Sequence, residues 1–341
     1  MTLTIGALKL DLLALQAPIS GYTDLAMRVL ARDHGAELTF SGLMLAQSIL
    51  HASFWRQGAN RLAPGEAPLG GQLVGRDPEL VARAGAVLQE KGYQLVDLNF
   101  ACPAPKVLAR GRGGALLREP DLVLAIIRRA RAAVSCPLTV KLRSGYDDSP
   151  RAREHFWRIS QGALDAGVDA LALHGRSVVQ RYAGKADWDL IAEARGRFPQ
   201  ACLLGSGDLF TAENALERLR RSGVDGVLLA RGAIGNPWIF REFRALAAGE
   251  PLPEPPSLPD VGRTLERHFA LVRELYTLRK AIGYFRKFCV GYCRRHPQRK
   301  NALLALMAAE SVAAIQNAVQ EFFHDWPEPA TTYPVPGRAG K

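Results

Sequence analysis

The chemically suggestive side chains of this sequence stand at the ends of apolar runs. Leu95-Val-Asp-Leu-Asn99-Phe-Ala-Cys102-Pro103 stops at an amide and a thiol, Leu138-Thr-Val-Lys141-Leu-Arg143 at an ammonium, and Ala170-Leu-Ala-Leu-His174-Gly-Arg176 at an imidazole. Two more runs end in glycine-rich turns, Gly205-Ser206-Gly207-Asp208 and Ala230-Arg231-Gly232. A free cysteine is often just a small buried hydrophobe, and a lone histidine a satisfied core residue. Position tips both readings toward chemistry, because a barrel enzyme carries its site at the C-terminal ends of its strands. Lys141 ends a buried run, where a desolvated ammonium needs an anionic or electron-rich partner. Glycines 205, 207 and 232 let backbone approach a ligand closely, and Arg231 adds a fixed positive charge, so one phosphate-bearing ligand is expected there. The segment Arg110-Gly-Arg112-Gly-Gly114 is expected to flex and to bind phosphate, although it is no dinucleotide fingerprint. No His–Glu–His set or carboxylate cluster argues for a catalytic metal.

The elements that must position these residues follow from the pattern of apolar runs. Strands are predicted at roughly 12–17, 37–42, 69–74, 94–99, 137–142, 169–174, 201–205 and 225–229. Helical patterns lie between them at 24–34, 45–56, 78–91, 120–134, 151–166, 188–197, 211–222 and 237–247. Asp77-Pro78, Glu119-Pro120 and Thr211 supply start signals. Eight alternations predict a (β/α)₈ TIM barrel over 1–248. A Pro-rich linker over 249–260 follows, and it cannot continue a helix. Beyond it a small all-helical domain is expected over 261–325, with Asp260 capping a first helix to Leu278, a second from Ala281 to Arg295 and a third from Gln298 to Phe323. The tail from Trp326, rich in Pro, Thr and Gly, is expected to be disordered.

Composition narrows the classes further. The chain has 341 residues, 48% of them apolar, enough for one large core and a smaller one. No run approaches the ~18 apolar residues of a membrane span, and the first fifteen residues read as the start of the fold rather than a signal peptide. Five scattered cysteines, 102, 136, 202, 289 and 293, fit a reducing cytoplasm. The net charge of +11 is uneven: eleven Lys/Arg between Arg263 and Lys300 face only Glu266 and Glu274. A basic helical block of this kind suggests a polyanionic partner, the competing reading being a merely solvated face. Arg286 and Lys287 are the first candidates within it, mid-helix beside Gly283 and Tyr284.

Taken jointly, Ala17-Pro-Ile-Ser-Gly-Tyr-Thr-Asp24, Gln72-Leu-Val-Gly75, Asp97-Leu-Asn-Phe-Ala-Cys-Pro103, Lys141-Leu-Arg143, His174-Gly-Arg176, Gly207-Asp208 and Arg231-Gly-Ala-Ile-Gly-Asn-Pro-Trp-Ile-Phe240 carry a resemblance. The chain resembles the FMN-dependent tRNA-dihydrouridine synthases, its bacterial B-type branch in particular, over nearly all of 12–323. The resemblance implies that Pro18, Ile19, Ser20, Gln72, Lys141, His174, Ser206, Gly207, Asp208, Ala230 and Arg231 contact FMN, with Lys141 near the isoalloxazine ring. It makes Cys102 the general acid, places Asn99, Lys106 and Arg176 on the substrate side, and gives the helical domain to tRNA. It further implies NADPH as reductant, hydride delivery to C6 and protonation of C5 of a uracil ring, and a monomer. Ile19, Ala101, Pro105, Ser206 and Ala230 depart from the usual family residues, which touches the pose of the cofactor more than the reaction class. Two alternatives stand beside this reading. One is an FMN barrel acting on a free small molecule, of dihydroorotate or dihydropyrimidine dehydrogenase type; the other is a tRNA-binding relative that has lost turnover.

Overall fold

A computed structural model describes residues 2–57 and 62–327. A hairpin of β1 (Leu3–Ile5) and β2 (Leu8–Leu10) opens the chain. The barrel follows as β3 (Ala14–Gln16), β4 (Thr39–Phe40) with the short β5 (Met44–Leu45) beside it, then β6 (Leu69–Val74) and β7 (Leu95–Phe100). It continues through β8 (Leu138–Arg143), β9 (Ala170–His174), β10 (Leu203–Ser206) and β11 (Gly226–Leu229). Apart from β5, which pairs with β6, these strands run in the order β3-β11-β10-β9-β8-β7-β6-β4, all parallel. A hydrogen bond from the Gln16 N–H to the Leu38 carbonyl (3.2 Å) joins its two ends. In β6 and β7 every residue is buried, as expected for parallel strands covered on both faces.

The helices are α1 (Leu25–Asp33), the short α2 (Ala46–Ile49) and α3 (Ala52–Trp55), α4 (Pro78–Glu90), α5 (Pro105–Leu108), α6 (Pro120–Ala133) and α7 (Pro150–Asp165). After them come α8 (Trp188–Arg197), α9 (Ala212–Ser222) and α10 (Ile239–Ala247). Asp24, Asp77, Ser149, Asp187 and Thr211 each accept a backbone N–H in the first turn of the helix they precede, which fixes where strand ends give way to helix. Beyond the barrel lie α11 (Leu258–Leu275), α12 (Leu278–Tyr292), α13 (Arg299–Ala308) and α14 (Val312–Val319).

Several expectations shift. The hairpin was unforeseen; Gly6 at its turn and Leu3 lie against Asp169, Pro137 and Gly226, at the N-terminal ends of β8, β9 and β11, so it closes the barrel floor. The helix expected at 45–56 breaks at Leu50–His51 into α2 and α3. Ser257, not Asp260, caps α11: the two form a reciprocal capping box, so the helix starts inside the expected linker. The long third helix divides at Ala309, where the chain turns extended and Ser311 caps a new helix. Residues 110–114 do not form an open loop; they fold tightly into a 3₁₀ helix at Gly113–Arg118. Trp326 is packed, its ring meeting His296 at 4.9 Å and stacking on Phe322 at 6.4 Å, while 328–341 of the expected tail lie outside the described residues. Among the described residues no helix is long and apolar enough to cross a membrane.

The C-terminal helices are welded to the barrel by backbone. Gly235, held at φ +60° after β11, packs directly on α12 at Gly291. A Cβ on Gly291 would strike the Ile234 carbonyl, and one on Gly235 the Phe288 carbonyl. Around this contact Trp238 meets both His34 (5.4 Å) and Tyr292 (6.3 Å) edge-on, and His268, fully buried, bonds the Tyr292 hydroxyl at 2.9 Å. Because backbone cannot rotate away as a side chain can, Gly291→Ala is expected to destabilise the protein by about 1–3 kcal/mol. Urea unfolding measures it; a loss below about 0.5 kcal/mol would show that α12 can slide instead.

Candidate active site

At the C-terminal face of the barrel lies a cavity of about 510 Å³. Of the residues singled out from sequence, Pro18, Ile19, Ser20, Gln72, Asn99, Cys102, Lys141, His174, Ser206, Gly207, Asp208, Ala230 and Arg231 line it. Lys106, Arg176, Arg286 and Lys287 do not.

Cys102 is set in place by a chain of buried polar groups. The Asp97 carboxylate can only accept, so the Gln72 amide turns its Nε2 toward it (2.7 Å), and the Thr139 hydroxyl donates to its other oxygen (2.6 Å). Gln72 Oε1 is thereby left to accept from Asn99 Nδ2 at 2.9 Å. Asn99 Oδ1 in turn accepts the backbone N–H groups of Ala101 (3.1 Å) and Cys102 (2.8 Å), bending the chain so that the thiol comes to the rim. Behind it Gly113, at φ +57°, and Gly114 lie against Cys102 so closely that a Cβ on either would crowd it. Burial pushes the Cys102 thiol up from its ordinary value, against the Ala104 N–H and the positive charge of Arg143, so it is protonated at neutral pH.

Lys141 occupies the next strand end. Its Nζ donates to the Ser206 hydroxyl at 3.0 Å, and Ser206 donates onward to the Leu173 carbonyl at 3.0 Å. Burial lowers Lys141 to about 8, with Asp97 opposing and Arg143 reinforcing the shift. Asp97 is raised to about 6 by its own burial, held back by Thr139, Gln72 and Lys141, so the carboxylate and the ammonium coexist at pH 7. His174 is driven well below its ordinary value by burial and by Lys141, Arg143 and Arg176. The ring is therefore neutral; its Nδ1 faces the Ser206 carbonyl at 3.2 Å and must carry the hydrogen, which leaves Nε2 as an acceptor.

Two residues beyond Ser206, Asp208 sits at φ +55°, a left-handed conformation unusual for a non-glycine. It is stabilised there by Arg176, which donates to both carboxylate oxygens (2.8 and 2.6 Å), by the Ala186 N–H (2.8 Å) and by Arg231 (3.1 Å). Partial burial would raise this carboxyl, but the bonds from Arg176 and Ala186 and the charge of Arg231 hold it below the usual range. Arg231 lies against the rings of both Tyr182 (4.6 Å) and Phe210 (5.0 Å), which hold its guanidinium at the cavity wall. Arg176 stands behind the cavity wall: buried to 2% exposure, it also donates to the Ala183 and Gly184 carbonyls, and so it positions Asp208 and the 183–184 loop.

Arg143, in sequence only a member of the Lys141-Leu-Arg143 motif, belongs to the site. Buried and lining the cavity, it donates to the Ala101 carbonyl (2.8 Å) beside Cys102 and to the Ser177 and Arg181 carbonyls (2.8 and 2.9 Å). Strand alternation was the available signal, since residues two apart share a face and Lys141 already pointed to it. Tyr22 and Tyr182 also line the mouth, and no sequence pattern distinguished them.

Beside the mouth runs an aromatic and cationic strip. Lys287 Nζ lies over Tyr284 (4.2 Å) and Tyr22 (5.7 Å) and donates to the Gly21 carbonyl at 3.3 Å. Tyr284 meets Tyr276 at 4.9 Å, and Lys280 covers Tyr276 at 4.6 Å. Arg286, on the same helix, points elsewhere: half-buried, it donates to the Ala309 carbonyl (2.7 Å) where α13 ends. Lys106 is exposed on α5, next to the cavity rim at Pro105.

The lowered Lys141 has a consequence for the ligand-free protein. Its folded value near 8 lies below the ordinary 10.5, so the charged form is disfavoured by folding, and stability should rise as pH climbs from 8 toward 10.5. Lys141→Met is expected to gain about 1–3 kcal/mol at pH 7 and to flatten that rise. Chemical denaturation across pH tests this; a destabilised variant would mean that the bond to Ser206 outweighs desolvation.

Comparison with known proteins gives the site a context. The dihydrouridine synthase (Dus) family profile matches residues 15–325. A tRNA-dihydrouridine synthase B of Xanthomonas axonopodis pv. citri is 34% identical over 312 residues, covering 90% of this chain and 91% of its own. One of Pseudomonas putida is 34% identical over 314 residues, covering 91% and 90%. A probable tRNA-dihydrouridine synthase of Mycobacterium tuberculosis is 31% identical over 349 residues, covering 99% and 89%. Among solved structures, a 2-naphthoyl-CoA reductase complex superposes with TM-score 0.59 at 12% identity, over 76% of this chain and 52% of that one. Histamine dehydrogenase from Rhizobium sp. 4-9 superposes with TM-score 0.54 at 13% identity, over 79% and 50%. This chain thus spans about half of each of those two proteins, and the likeness is one of fold. The match along the whole barrel and the helices beyond it establishes that the chain belongs to the dihydrouridine synthase family.

Proposed function

We propose that this protein reduces uridines of tRNA to 5,6-dihydrouridine, with FMN held in the barrel mouth and NADPH as the reductant. The observation that carries the reading is one protonated thiol, Cys102, at the rim of a cavity whose other walls carry Lys141, His174 and Arg231. The residues present fit a flavin. A cavity of about 510 Å³ is of cofactor size. Gln72, Asn99 and Lys141 place amide and ammonium donors at its strand-end side, and Arg231 stands fixed at the far side, where the phosphate would lie near Gly207 and Gly232. Asp208 serves there by orienting Arg231 with its carboxylate, while Pro18, Ile19, Ser20 and Ala230 form apolar and backbone walls. Bound in this way, FMN supplies the hydride for C6 of the uracil ring.

The side chains do the rest. Cys102 delivers its proton to C5, and the raised thiol value keeps that proton in place until it is needed. Lys141 presents positive charge to the electron-rich edge of the cofactor, in surroundings dry enough for that charge to count. His174 offers an acceptor at Nε2. A uridine reaches this depth only when unstacked, and Tyr22 and Tyr182 at the mouth offer faces for it or its neighbours. The strip from Tyr22 through Lys287 and Tyr284 to Lys280 alternates ring and cation, the composition that binds single-stranded nucleic acid. A free small-molecule substrate would have no use for it.

Cys102→Ala is expected to leave flavin content and NADPH oxidation unchanged while slowing uridine reduction by about 10²-fold or more. In the parent enzyme the rate should fall above about pH 8 as Lys141 loses its proton, and again once the thiol ionises; the variant should keep the first fall and lack the second. Equal losses in both half-reactions would make the cysteine structural. For the basic helices, Lys287→Ala is expected to weaken tRNA binding and reduce the log–log salt slope by about 0.7–0.9. Arg286→Ala, by removing a charged bond to the end of α13, should instead lower stability by about 1–3 kcal/mol with a smaller effect on the slope. If the slope falls for Arg286 and not for Lys287, the RNA runs along the other side of α12.

A further inference from the structure

A second cavity, of about 310 Å³, opens at the seam between the barrel and the C-terminal helices. Its apolar walls come from Phe210, Trp238, Pro256 and Val261, and its back wall from the backbone weld at Gly235 and Gly291. Phe210 lines both this cavity and the barrel mouth, so the two are neighbours across one ring.

The polar side of the cavity is cationic. Arg294 and Arg295 line it, and no carboxylate does. Arg295 is anchored to the buried Glu242 at 3.3 Å. Arg294 is half-buried, yet among the described residues it has no hydrogen-bond acceptor, ion-pair or ring partner, and its charged neighbours are Arg295 and Arg299. Burial, with these two like charges, presses it below its ordinary value. Holding an uncompensated guanidinium in such a place works against folding, and an anion supplied from outside would relieve it.

We infer that this seam cavity is a nucleotide subsite for the RNA substrate: the phosphate of a nucleotide flanking the reduced uridine on Arg294 and Arg295, its base against Phe210. The inference rests on the reading of the protein as a tRNA-modifying enzyme and deepens it. Adjacency across Phe210 is what favours RNA, because a strand whose uridine fills the mouth must leave through a neighbouring space. A phosphate of NADPH is the competing source of the same chemistry.

The test compares the parent enzyme with Arg294→Met, which keeps the aliphatic stem and loses the charge, and with Arg294→Lys. The ligand is an in vitro tRNA transcript on which the parent enzyme forms dihydrouridine; failure of the parent to do so would count against the broader reading, not this one. Arg294→Met is expected to weaken transcript binding about 5- to 10-fold at low salt and to lower the salt slope by about 0.7–0.9. Arg294→Lys should keep the slope. The NADPH KM should not change, and the melting temperature of the Met variant should be equal or higher, since a like-charge repulsion has been removed. Unaltered transcript affinity and slope would overturn the inference, and a raised NADPH KM with unaltered transcript binding would assign the arginines to the reductant. Should the Met variant not fold, photocrosslinking of a 4-thiouridine-substituted transcript to the parent enzyme decides. Crosslinks in the peptides bearing Phe210 or Arg294 support the subsite, and crosslinks confined to other peptides overturn it.

Discussion

A carboxylate buried from bulk solvent governs the barrel mouth. Asp97, 2% exposed in the middle of β7, must find its hydrogen bonds among protein groups, and it finds them in Thr139 and Gln72. Each partner passes the constraint on. Gln72 has one orientation because its Nε2 is committed to Asp97, Asn99 has one because Gln72 accepts from it, and the turn into Cys102 follows from Asn99. The same carboxylate draws in Lys141, whose ammonium then fixes Ser206, whose carbonyl sets the histidine tautomer. Five consecutive strand ends, from β6 to β10, are in this way referenced to one buried charge. Such a network rigidifies only while every member is satisfied, so its parts are not independently replaceable.

A second carboxylate does comparable work just beyond Ser206. Asp208 holds Arg231 at the wall and is itself held by Arg176 against a backbone angle that a non-glycine residue resists. Each centre sets basic groups against one acid. Near Asp97 these are Lys141, at the cavity wall, and Arg143; near Asp208 they are Arg176 and Arg231, of which Arg231 lines the cavity. A ligand with an electron-rich edge and an anionic terminus would meet both at once.

Much of this was legible in the sequence because it is encoded locally. Apolar runs that end in Asn99, Cys102, Lys141 or His174 announce strand ends, and parallel β/α alternation sends all of them to one face. What escaped depends on distant partners. Arg176 reads like a ligand-binding arginine until Asp208, 32 residues on, takes its guanidinium. Arg286 reads like a phosphate contact until the end of α13 folds back over it. The division of the third C-terminal helix at Ala309 was hidden by high alanine propensity, which tertiary contacts override. The glycines of 110–114 read as a source of mobility, whereas Gly113 and Gly114 serve the close approach to Cys102. Likewise Gly291, one glycine in a helix, gave no sign that it marks the weld between two parts of the chain.

That weld bears on how a substrate much larger than the barrel mouth can be positioned. Where Gly235 meets Gly291, backbone lies on backbone, so α12 cannot tilt or slide without opening a packed contact. The strip of Tyr276, Tyr284 and Lys287 therefore keeps a fixed bearing relative to Tyr22 and the cavity behind it. An RNA docked on the helices would find the mouth already at its final distance, without an entropic charge for ordering the two parts on binding. Placement of the reacting ring within contact range is a large part of what such a site can contribute to rate. Precision in this molecule is thus built from two unlike materials: a polar network that aims the thiol, and a glycine contact that fixes the C-terminal helices against the mouth.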